Sequence, residues 1–177
     1  MSEDDPVAAT ERWLRDVVVG LDLCPFAAGP LHRGGVRIVA SRADDLAGLL
    51  AEVQHEATVL MQQGAETTLL VVPELELEFE DLLDVVEIGE ALLEDLGWQA
   101  AVQLVGFHPD YVFGDGLGPD DPANATNRSP YPTLHLLRAD DVERAIAGHP
   151  DIASIPKRNV ALLRARAEKG DAQGAED

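Results

Sequence analysis

The chain has 177 residues, and 46% of them are hydrophobic, which is enough to bury the core of one domain. Its formal net charge of -20 repels nucleic-acid phosphates and anionic membranes, so neither is an expected partner. The acidic start does not read as a signal peptide and no run is long enough to span a membrane, so we expect a cytoplasmic protein. Because Cys24 is the only cysteine, an intramolecular disulfide and a multi-cysteine metal site are excluded.

The hydrophobic pattern predicts alternating helices and strands. Thr10 is the predicted cap of the first helix, after which Pro25 imposes an extended or turned conformation on Cys24. Ser41 and Asp44 resemble a capping box for the second helix. Strands are predicted at residues 36–40, 67–72, 100–107 and 133–137. Further helices are predicted at residues 46–61, 82–96, 140–147 and 156–168.

This order predicts a compact two-layer α/β (α+β) sandwich with a mixed, mainly parallel four-stranded sheet, loosely ferredoxin-like. Two strand–helix–strand units imply parallel neighbours with right-handed crossovers, and the last strand could return antiparallel beside its predecessor. Residues 9–168 form the single predicted domain. A flexible acidic N-terminus is predicted at residues 1–8 and a disordered tail at residues 169–177.

The connection between the last two strands is the most informative segment. Residues 108–132 are far too many for a hairpin, and long loops inside compact domains are usually functional or disordered. Tyr111, Phe113 and Tyr131 favour packing over disorder. We therefore predict a site beside this loop, with its glycines giving flexibility to a possible lid.

The charge distribution points to a ligand of a particular sign. Two segments, residues 23–43 and 122–139, contain no Asp or Glu yet retain Arg37, Arg128 and Arg138. If the fold brings these segments together, they form a positive pocket that attracts an anion. The alternative is that buried segments simply avoid carboxylates.

Three side chains are candidates for catalysis: Cys24, His108 and His135. Nearby cations would lower the pKa of the Cys24 thiol, although a free cysteine is also often a small buried hydrophobe. His108 and His135 flank the loop, where they suit acid–base work or hydrogen bonding to loop backbone. With Asp110 they could form a His/His/carboxylate metal triad, although no metal-binding motif supports it.

Ligand binding is predicted for Asn127, Arg128 and Ser129, which offer an amide, a guanidinium and a hydroxyl in a row. The prolines on either side of Tyr131 would hold them rigidly. Arg128 suits a bidentate grip on a carboxylate or phosphate. Pairing of Arg128 with a neighbouring Asp is the alternative.

Four segments resemble the bacterial "domain of unknown function 1415" family: TERWLRDVVVGLDLCPFA, FHPDYVF, NRSPYPTLHLLR and HPDIASIPKRN. The resemblance covers nearly the whole chain except its acidic start and its tail. It implies a soluble bacterial protein that is a single α/β unit. It supplies no catalytic residues.

The leading hypothesis is a small enzyme acting on an anionic small metabolite. Cys24 would be the nucleophile or thiol donor, His108 or His135 the proton carrier, and Arg128 with Arg37 or Arg138 the anion holder. A non-catalytic protein that binds a small ligand or a partner is the alternative, and a His/His/Asp metal-binding protein is a weaker one. The cofactor and the oligomeric state are left open.

Overall fold

A computed structural model of the protein describes residues 5–62 and 64–174. Within these ranges the α-helices are α1 (Pro6–Trp13), α2 (Ala28–Arg33), α3 (Leu46–Gln62), α4 (Phe79–Asp95), α5 (Ala139–Gly148) and α6 (Ile155–Gly174). The strands are β1 (Val36–Ala40), β2 (Thr67–Val71), β3 (Val102–Phe107) and β4 (Thr133–Arg138). A π-helix (Leu14–Val19) continues α1, and 3-10 turns occur at Pro122–Thr126 and Ile152–Ser154. In the described part of the chain, no helix combines the length and the apolar character needed to cross a membrane.

The strands form one mixed sheet in the order β1-β2-β4-β3, which confirms the predicted four-stranded mixed α/β fold. β1 pairs with β2 in parallel, whereas β4 pairs antiparallel with both β2 and β3. The predicted parallel pairing of β2 with β3 is wrong, because β4 lies between them. The long connection after β3 gives the chain enough length to return into the centre of the sheet.

Helices cover both faces of the sheet, so the fold has three layers where two were predicted. On one face, Leu70, Leu134 and Leu136 belong to the main buried cluster with residues of α3 and α4. On the other face, Leu69 is buried with Trp13 of α1 and residues of the π-helix. Neighbouring residues of a strand point to opposite faces, so apolar side chains on both faces require two helical layers.

The first helix begins earlier than predicted. The Asp5 carboxylate accepts a hydrogen bond of 3.0 Å from the Val7 backbone N–H, and Pro6 occupies the first turn, where its missing N–H is harmless. Thr10 is therefore inside α1 and fully buried, and the prediction that it caps the helix is wrong. Residues 6–8, which were predicted to belong to a flexible N-terminus, form the start of α1.

The later helices also differ at their ends. Asp45 caps α3, since its carboxylate accepts a 2.7 Å bond from the Gly48 N–H, so the predicted capping box of Ser41 and Asp44 is not formed. α6 continues to Gly174, beyond the predicted end at residue 168. Residues 1–4, 63 and 175–177, which include parts of the predicted flexible start and tail, lie outside the described residues.

Candidate functional site

Cys24 and His135 lie on the same face of the sheet, the one covered by α1 and the π-helix, which we call the α1 face. Cys24 packs against a buried cluster that includes Trp13 and Leu69. His135 is directly opposite Leu69 in the strand register, and its ring lies 5.7 Å from that of Phe107. The structure thus places two of the three predicted catalytic residues around one apolar cluster.

Cys24 is half-buried, and its surroundings act on the pKa of the thiol in both directions. Burial is the main influence and raises the pKa of Cys24 above its ordinary value, and the nearby Asp22 carboxylate also raises it. The backbone N–H groups of Phe26 and Ala27 act in the opposite direction and lower the pKa of Cys24, and the Ala27 N–H also donates to the Cys24 carbonyl at 3.2 Å. The expected lowering of this pKa by nearby cations is wrong, because burial outweighs the favourable contacts. At rest, Cys24 is a thiol rather than a thiolate.

His135 is held as a neutral imidazole in one tautomer. The Thr67 hydroxyl donates its single proton to the Leu136 carbonyl at 2.9 Å, so it accepts the bond that joins its Oγ1 to Nε2 of His135 at 2.5 Å. The proton therefore resides on Nε2, and Nδ1 keeps its lone pair. Burial lowers the pKa of His135 to about 4. Among the described residues none hydrogen-bonds Nδ1, so this nitrogen is available as a proton acceptor.

His108 has a structural position instead. Its Nε2–H donates to the Leu77 carbonyl at 2.8 Å, and its Nδ1 accepts the Asp110 backbone N–H at 3.0 Å. Its ring packs near Phe79 at the start of α4, on the opposite side of the sheet from His135. With both nitrogens occupied, His108 ties the segment after β2 to the start of the long loop.

The metal hypothesis is wrong for the described part of the chain. His108 packs on the α4 side of the sheet and His135 on the α1 face, so they cannot join Asp110 in one coordination sphere. The described residues also contain no group of three or more His, Cys, Asp and Glu side chains arranged to hold a metal ion.

Two of the predicted anion-binding arginines, one from each acid-free segment, pair with carboxylates that lie outside these segments. Arg37 makes a bidentate pair with the buried Glu56 of α3, with bonds of 2.8 and 3.1 Å. Arg138 donates to Asp141 at 2.7 Å. The strands of the two segments flank β2 on either side, so the segments do lie near each other. The charges of Arg37 and Arg138 are nevertheless neutralised by their carboxylate partners, so these two arginines do not form the predicted positive pocket.

The long loop is an ordered, hydrogen-bonded unit. The fully buried Asn124 accepts the Phe113 N–H at 3.1 Å and donates to the Gly118 carbonyl at 2.8 Å. Asp121 makes a bidentate pair with Arg164 of α6, whose guanidinium holds the pKa of the Asp121 carboxyl well below its usual range. These bonds fasten the glycine-rich part to itself and to α6, which argues against the flexible lid.

The three predicted ligand-binding residues of this loop contribute to its internal bonding. Arg128 donates through Nε to the Tyr111 carbonyl at 3.1 Å and through Nη2 to the Pro119 carbonyl at 2.7 Å. The buried Ser129 hydroxyl donates to the Tyr131 carbonyl at 2.6 Å. Asn127 accepts the His108 backbone N–H through its own carbonyl at 3.3 Å. Among the described residues Arg128 pairs with no Asp, and none accepts a hydrogen bond from its Nη1 group, which keeps its hydrogens for another acceptor.

Two surface hollows lie away from these residues. One of about 380 Å³ lies beside α4 and β3 and is lined by Glu87, Glu90 and Glu94 among others. The other, of about 690 Å³, lies after the ends of β1 and β2 and includes Ser41 and Arg42. Neither is lined by Cys24 or His135.

A known protein family matches nearly the whole chain, including the residues of the α1 face. A family model described as "Protein of unknown function (DUF1415)" matches residues 5–173, which include every residue of the α1 face described above. The chain belongs to this family. Searches of curated proteins and of solved structures found no significant match. For this DUF1415 protein, the family gives no function, so the proposed function rests on the geometry and chemistry of the site.

Sequence reasoning missed Thr67, whose hydroxyl selects the tautomer of His135. It also did not identify the backbone N–H groups of Phe26 and Ala27, or the bond of 2.7 Å from Asn159 to the Leu23 carbonyl. A threonine in a buried strand was a weak signal for Thr67. No local signal existed for Asn159, because 136 residues separate it from its partner.

Proposed function

We propose that this DUF1415 protein is a small enzyme in which Cys24 is the nucleophile and His135 accepts its proton. The observation that supports this most directly is the environment of the sulfur: Cys24 packs against the same apolar cluster as His135, and the backbone N–H groups of Phe26 and Ala27 act to lower the pKa of its thiol. Such donors stabilise a thiolate once it forms. The neutral imidazole of His135 lies on the same face of the sheet, with its Nδ1 lone pair free.

The chemical step follows from the resting protonation states. The Cys24 thiol proton moves to Nδ1 of His135, directly or through one water, and the sulfur attacks an electrophilic carbon of the substrate. A sulfur–carbon bond forms as the bond to the leaving group breaks, and the imidazolium returns the proton to the leaving group. Thr67 acts as the orienting group, since it holds the imidazole in the tautomer that presents Nδ1.

The substrate class we propose is an anionic small metabolite, held by Arg128. This guanidinium has unused hydrogens, whereas Arg37 and Arg138 are paired with carboxylates. A cytoplasmic location, without nucleic-acid or membrane partners, remains our prediction from the composition.

The test is covalent labelling followed by turnover. Native protein is incubated with a panel of small activated esters and thioesters that carry a carboxylate or phosphate, and adducts are located by mass spectrometry. We expect an adduct on Cys24 that Cys24→Ser abolishes and His135→Gln slows at least tenfold. His32→Gln, at an exposed position on α2, is the matched control and should react like the wild type. Equal turnover by the wild type and Cys24→Ser would sink the proposal.

A second candidate, a non-catalytic small-ligand-binding protein, is favoured by a separate observation. The Thr10 hydroxyl and the Trp13 Nε1–H are buried, lie one helical turn apart on α1, and have no hydrogen-bond partner among the described residues. Buried polar groups normally have partners, so an oxygen of a bound ligand would satisfy them.

The two candidates differ in their dependence on Cys24. Binding without catalysis predicts ligand-induced stabilisation that survives Cys24→Ser but is lost in Arg128→Ala. In a Trp98→Phe background, fluorescence would report the environment of Trp13 alone, since the chain has 2 tryptophans. A change of Trp13 emission with a ligand, without any turnover that needs Cys24, would favour the binding protein.

A further inference from the structure

The turn that carries Cys24 has a strained backbone and is held from a distant part of the chain. Asp22 has a φ of 53°, and among the described residues it is the one non-glycine with a positive φ. L-residues rarely adopt this left-handed conformation, because the side chain crowds the following carbonyl. It persists where surrounding contacts hold it, so the turn of residues 22–24 depends on its contacts.

Those contacts come from the start of α6. Arg158 donates to the Asp22 carboxylate at 2.8 Å and also to the Asp22 carbonyl. Asn159 donates from Nδ2 to the Leu23 carbonyl at 2.7 Å. The Arg158–Asp22 pair is largely exposed and screened by water, whereas Asn159 is 97% buried, with 3% exposure. Asn159 is therefore the main anchor of the turn.

The anchor lies one residue before the thiol. Leu23 is buried, and its carbonyl is fixed by Asn159, so the Cα of Cys24 cannot move outward without breaking that bond. Breaking it would leave a buried amide and a buried carbonyl unpaired, which is unfavourable. The position of the thiol against the Trp13 cluster is thus coupled to the first turns of α6.

We propose that Asn159 is a positioning residue, a latch that keeps the half-buried Cys24 thiol packed against the α1 face and releases it when the start of α6 moves. The latch deepens the proposed function and rests on it, because limited access matters for a thiol that reacts. In this proposal the start of α6 regulates access to the Cys24 thiol, and Asn159 has a role that its position in a helix does not reveal.

The experiment is the rate of Cys24 alkylation by iodoacetamide as a function of pH. Asn159→Asp keeps the shape but replaces the amide donor with an acceptor, and we expect alkylation at least tenfold faster, with its pH midpoint moved toward that of a free cysteine. Asn159→Gln keeps the donor and should retain much of the protection.

The matched control is Asn124→Asp. Asn124 is another fully buried asparagine that donates from Nδ2 to backbone carbonyls, but it does so in the long loop. We expect this variant to lose stability without moving the pH midpoint of Cys24. Equal rates and midpoints in Asn159→Asp and the wild type would overturn the latch. So would an equal change in Asn124→Asp, since the effect would then be general loosening.

If Asn159→Asp does not fold, low concentrations of urea applied to the wild type decide the question. The latch predicts that Cys24 becomes reactive before global unfolding, and reactivity that appears only with global unfolding overturns it. A thiol released by Asn159→Asp that still shows no reaction dependent on Cys24 would contradict the enzyme proposal alone. The latch would then stand as a packing feature of a binding protein.

Discussion

The imidazole of His135, packed on the α1 face, should make the protein less stable in mild acid. Its pKa is lowered to about 4 in the folded state by burial, against roughly 6.5 in an unfolded chain. The unfolded state therefore binds more protons between these two values, so stability is full above about pH 6.5 and falls as the pH drops toward 4. Protonation of His135 at low pH places a charge beside Phe107 and Leu69, which the folded state resists.

The size of the effect follows from the gap between the two pKa values. A gap of about 2.5 pH units, at about 1.4 kcal/mol for each unit, corresponds to about 3.5 kcal/mol over the whole range. Between pH 7 and pH 5 the loss in the free energy of unfolding from this residue alone is about 2 kcal/mol. For a domain with a stability of about 5–15 kcal/mol this is a large fraction.

The assay is urea denaturation followed by circular dichroism at pH 7, 6 and 5. His135→Gln removes the titrating group and keeps a donor for Thr67, so its stability should depend on pH less steeply, by about 2 kcal/mol between pH 7 and pH 5. His32→Gln changes an exposed histidine and should keep the pH dependence of the wild type. Parallel stability profiles for the wild type and His135→Gln would refute the reasoning, because they would mean that His135 gains no proton on unfolding.

Three further predictions concern stability. Leu134→Ala in the central strand should lower the free energy of unfolding by about 3 kcal/mol in urea titrations, whereas Leu117→Ala, at a side chain 77% exposed, should change it by less than about 0.5 kcal/mol. Arg37→Met should cost about 2 kcal/mol at pH 7 by leaving Glu56 buried without its partner, and Arg37→Met with Glu56→Gln should recover part of it. Asn124→Ala should speed limited proteolysis within the long loop by several-fold, and unchanged cleavage would show that other contacts hold the loop.

Much of the fold was accessible from local patterns in the sequence. The apolar alternation of residues 36–40 and the continuous apolar run at 67–72 located β1 and β2 almost to the residue, because the two-residue period of a strand is a local property. The helices followed from the 3.6-residue period in the same way. The short α2 was missed, since no periodicity marks it, and the helical spacing that predicted the first helix did not reveal that residues 14–19 form a π-helix.

The candidate site was less accessible because its residues come from distant segments. The sequence indicated Cys24 and His135 as chemically interesting, and the structure places both on the α1 face. It also indicated His108 and Arg37. In the structure, His108 is bonded to a carbonyl 31 residues away and Arg37 to a carboxylate 19 residues away. Whether a titratable side chain is free or bonded depends on its neighbours in space, which spacing along the chain does not specify.

By itself the sequence determined the strands, most of the helices, the family and the candidate residues, because these depend on periodicity and on residue type. The tertiary structure alone decided that β4 enters the centre of the sheet, that helices cover both faces, and that Arg37 and Arg138 are neutralised by carboxylates. It also decided that Asp22 and Leu23 are held from α6. These features are long-range pairings, chosen by burial and hydrogen-bond satisfaction across the whole domain, and no local stretch of sequence contains the information that selects them.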